Sequence, residues 1–318
     1  MADCMSDKTI KVAQIVLSSC MGAKENENIL ILTDDGKFEL AHTFAKAGRD
    51  LNLPTTLVEI TRQNGGELPP LAAAALQKAD VCLIITSGSF THTKARAEAS
   101  ARGCRIASMP TITREIVDNY CGADYQEIKD TADKIVMLLN KASVIRVTSK
   151  KGTDVSLDIS GRSGIADTGI LDQPCAFGNL PAGESMIAPV EDKGDGILIV
   201  DGVAGPLGKV DSPITIHLKN GKIEAIYGDE DKLSEFFKKY QDNVDKIAEF
   251  GIGVNKLTKL LGNPLCDEKV FSTIHLGFGN NLFMGGKQDC NTHYDMIICS
   301  PSVYLDGVCI IDEGKHIY

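Results

Sequence analysis

Apolar residues in the first half of the chain fall into short unbroken runs, each followed by a stretch with helical spacing. "KTIKVAQIVLSSCM" places Ile10, Ala13, Val16 and Leu17 on one helical face, so an amphipathic helix opens the chain. "NILILTD" (Asn28–Asp34) then reads as a buried strand, and "KFELAHTFAKAGRDL" as the helix after it. The pattern repeats: "TTLVEI" precedes "PPLAAAALQKA", "DVCLIIT" precedes "THTKARAEASARG", and "CRIASMP" precedes "TREIVDNY". Strands alternating with helices predict right-handed βαβ units, hence an α/β fold whose open, mostly parallel sheet carries helices on both faces. The longer helical stretch "YQEIKDTADKIVMLLNKA" closes this part.

From about Ser143 the texture changes. "SVIRVTS", "TDVSLDIS", "GILIVDGV", "SPITIHL" and "KIEAIYG" are strand-length pieces separated by Gly, Asp and Asn. One helix is expected among them, over "DEDKLSEFFKKYQDNVDKIAEF", with acidic residues at its start where the helix dipole favours them. Two domains follow, a Rossmann-like α/β domain over 1–142 and a β-rich α+β metal-site domain over 143–318. A length of 318 residues agrees, at about 150 residues per domain.

Composition narrows the class of function. The 43% hydrophobic and 24% charged fractions are those of a soluble globular protein. No apolar run approaches the roughly 20 residues that span a bilayer, and Met1 to Lys11 lacks an apolar signal block, so no membrane partner and a cytoplasmic location are expected. The ten cysteines include no CxxC pair, which argues against a thiolate zinc site and for reduced thiols. A net charge of -10 disfavours nucleic acid as a partner and leaves small molecules or short peptides.

Histidine is scarce, with six in the chain, so each position can be weighed. His293 and Asp295 form an HxD pair ahead of a Met-Ile-Ile run that suggests a strand. Residues two apart on a strand share a face, so imidazole and carboxylate emerge together as a chelating pair. His275 lies in the apolar stretch "FSTIHLGFGNN", and Glu249 in "AEFGIGVN", each where an apolar run meets what reads as a tight Gly-rich turn. Glu184 stands behind the Pro-Ala-Gly turn of "NLPAGESMIAPVED", and Glu191 with Asp192 forms an acidic loop after it.

Taken in order, "NLPAGESMIAPVED", "EFGIGVN", "TIHLGFG" and "THYDMII" resemble the metal-site motifs of the M29 metallo-aminopeptidases, the aminopeptidase T and aminopeptidase S group. The likeness extends to "THTKARAEASARGCRIASMPTIT" and so covers most of the chain. It implies a homodimeric hydrolase of small peptides or amides. Two divalent ions (zinc, cobalt or manganese) would be held by Glu184, Glu249, His275, His293 and Asp295, and one of the two glutamates would double as catalytic proton acceptor. Asn179 in the same motif and Glu191 in the acidic loop are candidate substrate contacts, the latter for a cationic amine. The chain departs from the peptidases in lacking their tyrosine after the IHLxxG histidine, where "GNNLFMGG" brings Leu282 and Phe283 instead, and in having no tryptophan.

The chain is also similar to the 2,5-dihydroxypyridine dioxygenases, shortened relatives of the peptidases that keep two histidines and an aspartate around one non-haem iron(II). His275, His293 and Asp295 match that arrangement. This resemblance implies a catalytic histidine from the first domain, for which His92, after the "DVCLIIT" strand, is the candidate. Arg96, one turn further, could meet a substrate carboxylate. A third reading is a metal-binding protein without turnover. The expectation from the motifs as a whole is the two-metal hydrolase, with the iron dioxygenase as the alternative.

Overall fold

The computed structural model describes residues 7–63, 66–91, 93–240 and 242–318. The chain divides into two compact units, one of Met1–Glu127 with Thr168–Ala182, the other of Ile128–Asp167 with Gly183–Tyr318.

The first unit is built on strands β1 (Ile29–Asp34), β2 (Thr55–Ile60), β3 (Val81–Ile85) and β4 (Arg105–Ser108). Every residue of β1, β3 and β4 is buried, as continuous apolar runs require when helices cover both faces of a parallel sheet. Helices Phe38–Asp50, Pro70–Leu76, Lys94–Ala101 and Arg114–Tyr120 alternate with the strands. Thr93 and Thr113 cap the last two by accepting from the amides of Arg96 and Ile116. A fifth strand, Phe177–Asn179, pairs in parallel with Ile106–Ser108 and completes the order β2-β1-β3-β4 followed by this strand. At three residues it is too short for hydrophobic periodicity to reveal it. Leu30, Leu32, Leu76, Ile84, Phe90 and Ile106 lie in the packed core. The predicted α/β class is the one observed.

The second unit holds two antiparallel sheets. The larger, eight-stranded one contains the five β-rich segments read from the sequence. In it Val144–Thr148 and Asp154–Asp158 alternate buried and exposed positions, as strands with one covered face do. The smaller sheet carries the metal-site motifs. Numbering on from β4, its principal strands are β5 (Glu184–Ile187), β6 (Ile247–Gly253), β7 (Thr273–Gly279) and β8 (His293–Cys299), in the order β8-β7-β6-β5 with Ile165–Asp167 outside β5.

Two local expectations are corrected here. The helix expected over 229–250 occupies only Glu230–Phe237. Beyond it the polar residues Lys238 and Lys239 offer no apolar stripe, Asn243 takes a left-handed conformation at φ 67°, and Ile247–Gly253 pairs as a central strand instead. The glycines after Glu249 and His275 do not make turns: Gly251, Gly253, Gly277 and Gly279 are strand residues, buried inside β6 and β7.

Candidate metal centre

The smaller sheet places five polar side chains on one face. In both "EFGIG" and "HLGFG" a polar residue and two glycines alternate with apolar residues, so Glu249, Gly251 and Gly253 share a face of β6, and His275, Gly277 and Gly279 share a face of β7. Phe250, Ile252, Leu276 and Phe278, buried on the opposite face, anchor the sheet. Antiparallel register completes the arrangement: Glu249 faces Gly277, Gly277 faces Asp295, Gly251 faces His275, Gly279 faces His293, and Gly253 faces Glu184. Each candidate ligand therefore stands opposite a glycine. Val254 N–H donates to the Gly183 carbonyl at 2.8 Å and pins the start of β5, where Glu184 sits.

The glycines are required by space. A Cβ on Gly277 would lie 2.7 Å from Glu249 Cβ, 2.8 Å from His293 Nε2 and 2.9 Å from Asp295 Oδ1, inside the cluster itself. A Cβ on Gly251 would collide with the His275 ring at Nε2.

Distances within the cluster are short. His275 Nε2 is 3.2 Å from Glu249 Oε1 and 3.4 Å from Glu184 Oε2; His293 Nε2 is 3.0 Å from Glu249 Oε2 and 3.4 Å from Asp295 Oδ1. Ligand atoms of Glu184, Glu249 and His275 lie within 4.8 Å of one another, as do those of Glu249, His293 and Asp295. Glu184, Glu249 and His275 are at most 4% exposed. His293 donates or accepts through Nδ1 at 2.7 Å from the Asn280 carbonyl. A carbonyl only accepts, so Nδ1 carries the proton and Nε2 of a neutral ring presents its lone pair to the cluster.

Electrostatics in this cluster is dominated by the carboxylates. Burial works against an imidazolium at His275, but Glu249, Glu184 and Asp295 outweigh it and raise its pKa to about 9. His293 is likewise held well above its ordinary value, since Asp295 and Glu249 override its burial. Burial alone would raise Asp295, yet the charge of His293 carries it well below the usual carboxylate range. Among the described residues Glu184 Oε2, Asp295 Oδ1 and His275 Nδ1 have no hydrogen-bond partner. Buried acceptors without donors, two convergent imidazoles and a space that a methyl group would fill suit a divalent transition metal. Glu184, Glu249 and His275 form a buried triad able to hold one.

Two charged residues at this cluster were not singled out in the sequence. Lys269 is 1% exposed, and its Nζ lies 2.6 Å from Glu184 Oε1 and 2.6 Å from Glu268 Oε2. The only sequence signal is "DEK" ahead of the His275 strand, which reads as an ordinary charged loop.

The other candidates divide between the two units. Arg96 and Asn179 belong to the first unit: the Arg96 guanidinium lies 4.0 Å over the Phe177 ring and its Nε donates to the Thr91 carbonyl at 2.7 Å. The buried Asn179 Oδ1 has no partner among the described residues. Glu191, in the second unit, is engaged by Arg162 and accepts from Lys287 N–H at 2.8 Å and Asn281 Nδ2 at 3.1 Å, while Asp192 pairs with Lys246 at 2.7 Å. His92 lies outside the described residues.

Comparison with known proteins separates the two resemblances. A family model described as "NicX: 2,5-dihydroxypyridine 5,6-dioxygenase" matches residues 8–318. The 2,5-dihydroxypyridine 5,6-dioxygenase of Pseudomonas putida KT2440 is 25% identical over 197 residues, which is 56% of this chain and 55% of that protein, so the match spans about half the length of that relative. The solved structure of 2,5-dihydroxypyridine dioxygenase from Pseudomonas putida KT2440 superposes with a TM-score of 0.81 at 19% identity, covering 97% of this chain and 96% of that one. Wild-type AmpT from Thermus thermophilus superposes with a TM-score of 0.70 at 14% identity, covering 98% and 99%. The aminopeptidase therefore shares the fold, and the expectation of an M29 metallo-hydrolase, a peptidase, is overturned by the family match. The motif likeness misled because one fold can host different chemistries. The chain belongs to the NicX family of 2,5-dihydroxypyridine 5,6-dioxygenases.

Proposed function

We propose that the protein is a ring-cleaving dioxygenase of a small dihydroxylated N-heteroaromatic, of the dihydroxypyridine type, working with one iron(II). The family match over residues 8–318 carries this reading. The donor set supports it: two imidazoles with carboxylates on one face suit non-haem iron(II), and His275, His293 and Asp295 would hold the ion. Iron(II), when bound, would supply the one-electron chemistry by which dioxygen reacts with an electron-rich ring.

The chain's own residues divide the remaining work. The Asn280 carbonyl fixes the His293 tautomer, keeping Nε2 free as a ligand. Glu249, between the two Nε2 atoms, is the group placed to take up at its Oε atoms the proton that a ring hydroxyl loses on binding. Phe283, 53% exposed, meets the His293 ring edge-on with centroids 5.5 Å apart, and the exposed Leu282 lies beside it. These residues follow the β7 strand in place of the peptidase tyrosine and give a planar ring an apolar face.

The test is oxygen uptake by anaerobically purified protein loaded with iron(II), with 2,5-dihydroxypyridine and a panel of hydroxylated pyridines. Uptake matched mole for mole by loss of the ring absorbance is expected. No uptake across the panel overturns the reading.

A further inference from the structure

We infer that Lys269 is a built-in cation that takes the place of a second divalent ion and so sets the capacity of this centre at one metal per chain. The inference rests on the metal centre proposed above and goes beyond it to say why the site stops at one ion.

The donor geometry on its face offers two places. Glu184, Glu249 and His275 form one triad, Glu249, His293 and Asp295 another, and Glu249 is common to both. A carboxylate shared between two triads is what a pair of bridged ions would use. Lys269 breaks this symmetry. Its Nζ holds Glu184 Oε1 and Glu268 Oε2 at 2.6 Å each, so the ammonium sits against Glu184, while no ammonium among the described residues pairs with His275, His293 or Asp295.

The ammonium is positioned by backbone, not by chance of a flexible side chain. Asn255 N–H, just beyond β6, donates to the Lys269 carbonyl at 2.9 Å, and Lys269 N–H donates to the Cys266 carbonyl at 3.1 Å. Asn255 and Val270 form a parallel bridge, so the loop before β7 is fixed against the end of β6, where Gly253 faces Glu184. A divalent ion at Glu184 would meet a fixed positive charge within bonding distance of its own ligand.

Metal content tests this directly. Chelator-stripped wild-type protein is titrated calorimetrically with Mn²⁺ and, separately, Zn²⁺, and the gel-filtered product is analysed by mass spectrometry for metal. One ion per chain is expected for the wild type. Lys269→Met, which keeps the bulk and removes the charge, is expected to take two, or to gain at least about tenfold in affinity for the second. Two ions of similar affinity in the wild type, or one ion with unchanged affinity in Lys269→Met, would overturn the inference. If the variant fails to fold, anomalous scattering from Mn²⁺-soaked wild-type crystals decides. A single peak held by His275, His293 and Asp295 upholds the inference, and a second peak beside Glu184 sinks it. A wild type that binds no ion removes both this inference and the metal centre beneath it, whereas one bound ion without oxygen uptake removes only the dioxygenase reading.

Discussion

Gly277 stands directly opposite Asp295 across the β7–β8 ladder, and the Cβ it lacks would lie 2.9 Å from the Asp295 carboxylate. Gly277→Ala should therefore place a methyl group in the space between Glu249, His293 and Asp295. The expected result is a loss of metal affinity of at least about tenfold with the fold retained, read by calorimetric titration beside circular dichroism. Unchanged affinity would show that the ligands do not converge over this residue.

Metal binding should release protons. Because the surrounding carboxylates raise the His275 pKa to about 9, the metal-free protein carries its imidazolium at neutral pH, and an incoming ion must displace that proton. Affinity should rise with pH up to about 9, and the calorimetric enthalpy should depend on the ionisation heat of the buffer. The same group makes a prediction for stability without metal. Its folded pKa lies above the ordinary 6.5, so its contribution is complete below pH 6.5 and is lost as pH climbs towards 9, by an amount on the order of 3 kcal/mol. A flat unfolding midpoint across that window would contradict the assignment.

Phe283→Ala should raise KM for the aromatic substrate several-fold while leaving metal content unchanged, since the ring touches His293 by its edge and donates nothing to the cluster. Steady-state kinetics with iron-loaded protein separates this from a structural defect, which would lower kcat and metal content together.

In the first unit Arg105, 6% exposed, holds Glu27 through two parallel bonds of 2.9 and 2.7 Å and also donates to the Met21 carbonyl. Removing one member of a buried pair strands the other, so Glu27→Ala should cost about 3 kcal/mol in urea unfolding. A change below about 1 kcal/mol would mean that water reaches the guanidinium.

How much of this was legible in the chain differs from element to element. Runs such as "ILILTD" and "VCLII" can bury both faces only in a covered parallel sheet, so the first unit's class followed from local pattern. The Phe177–Asn179 strand has no signal in the sequence, because three residues carry no period and its pairing partner lies some seventy positions earlier. From the sequence Glu249 reads as lying near a helix end and a turn, because acidic and apolar spacing over 229–250 mimics a helix and because glycine after a polar residue usually marks a turn. Only the neighbouring strands reveal that those glycines make room for side chains on the strand opposite.

The sequence by itself determined the α/β class, the change to β-rich texture after Ser143, and the residue types that bring Glu184, Glu249, His275, His293 and Asp295 into consideration. These depend on periodicity and on side-chain chemistry, which are local properties. The tertiary structure alone decided that the five share one sheet face, that each stands opposite a glycine, and that a buried Lys269 reaches Glu184 from 85 positions away. Register across strands and the position of one ammonium depend on contacts distant in sequence, and no spacing along the chain encodes them.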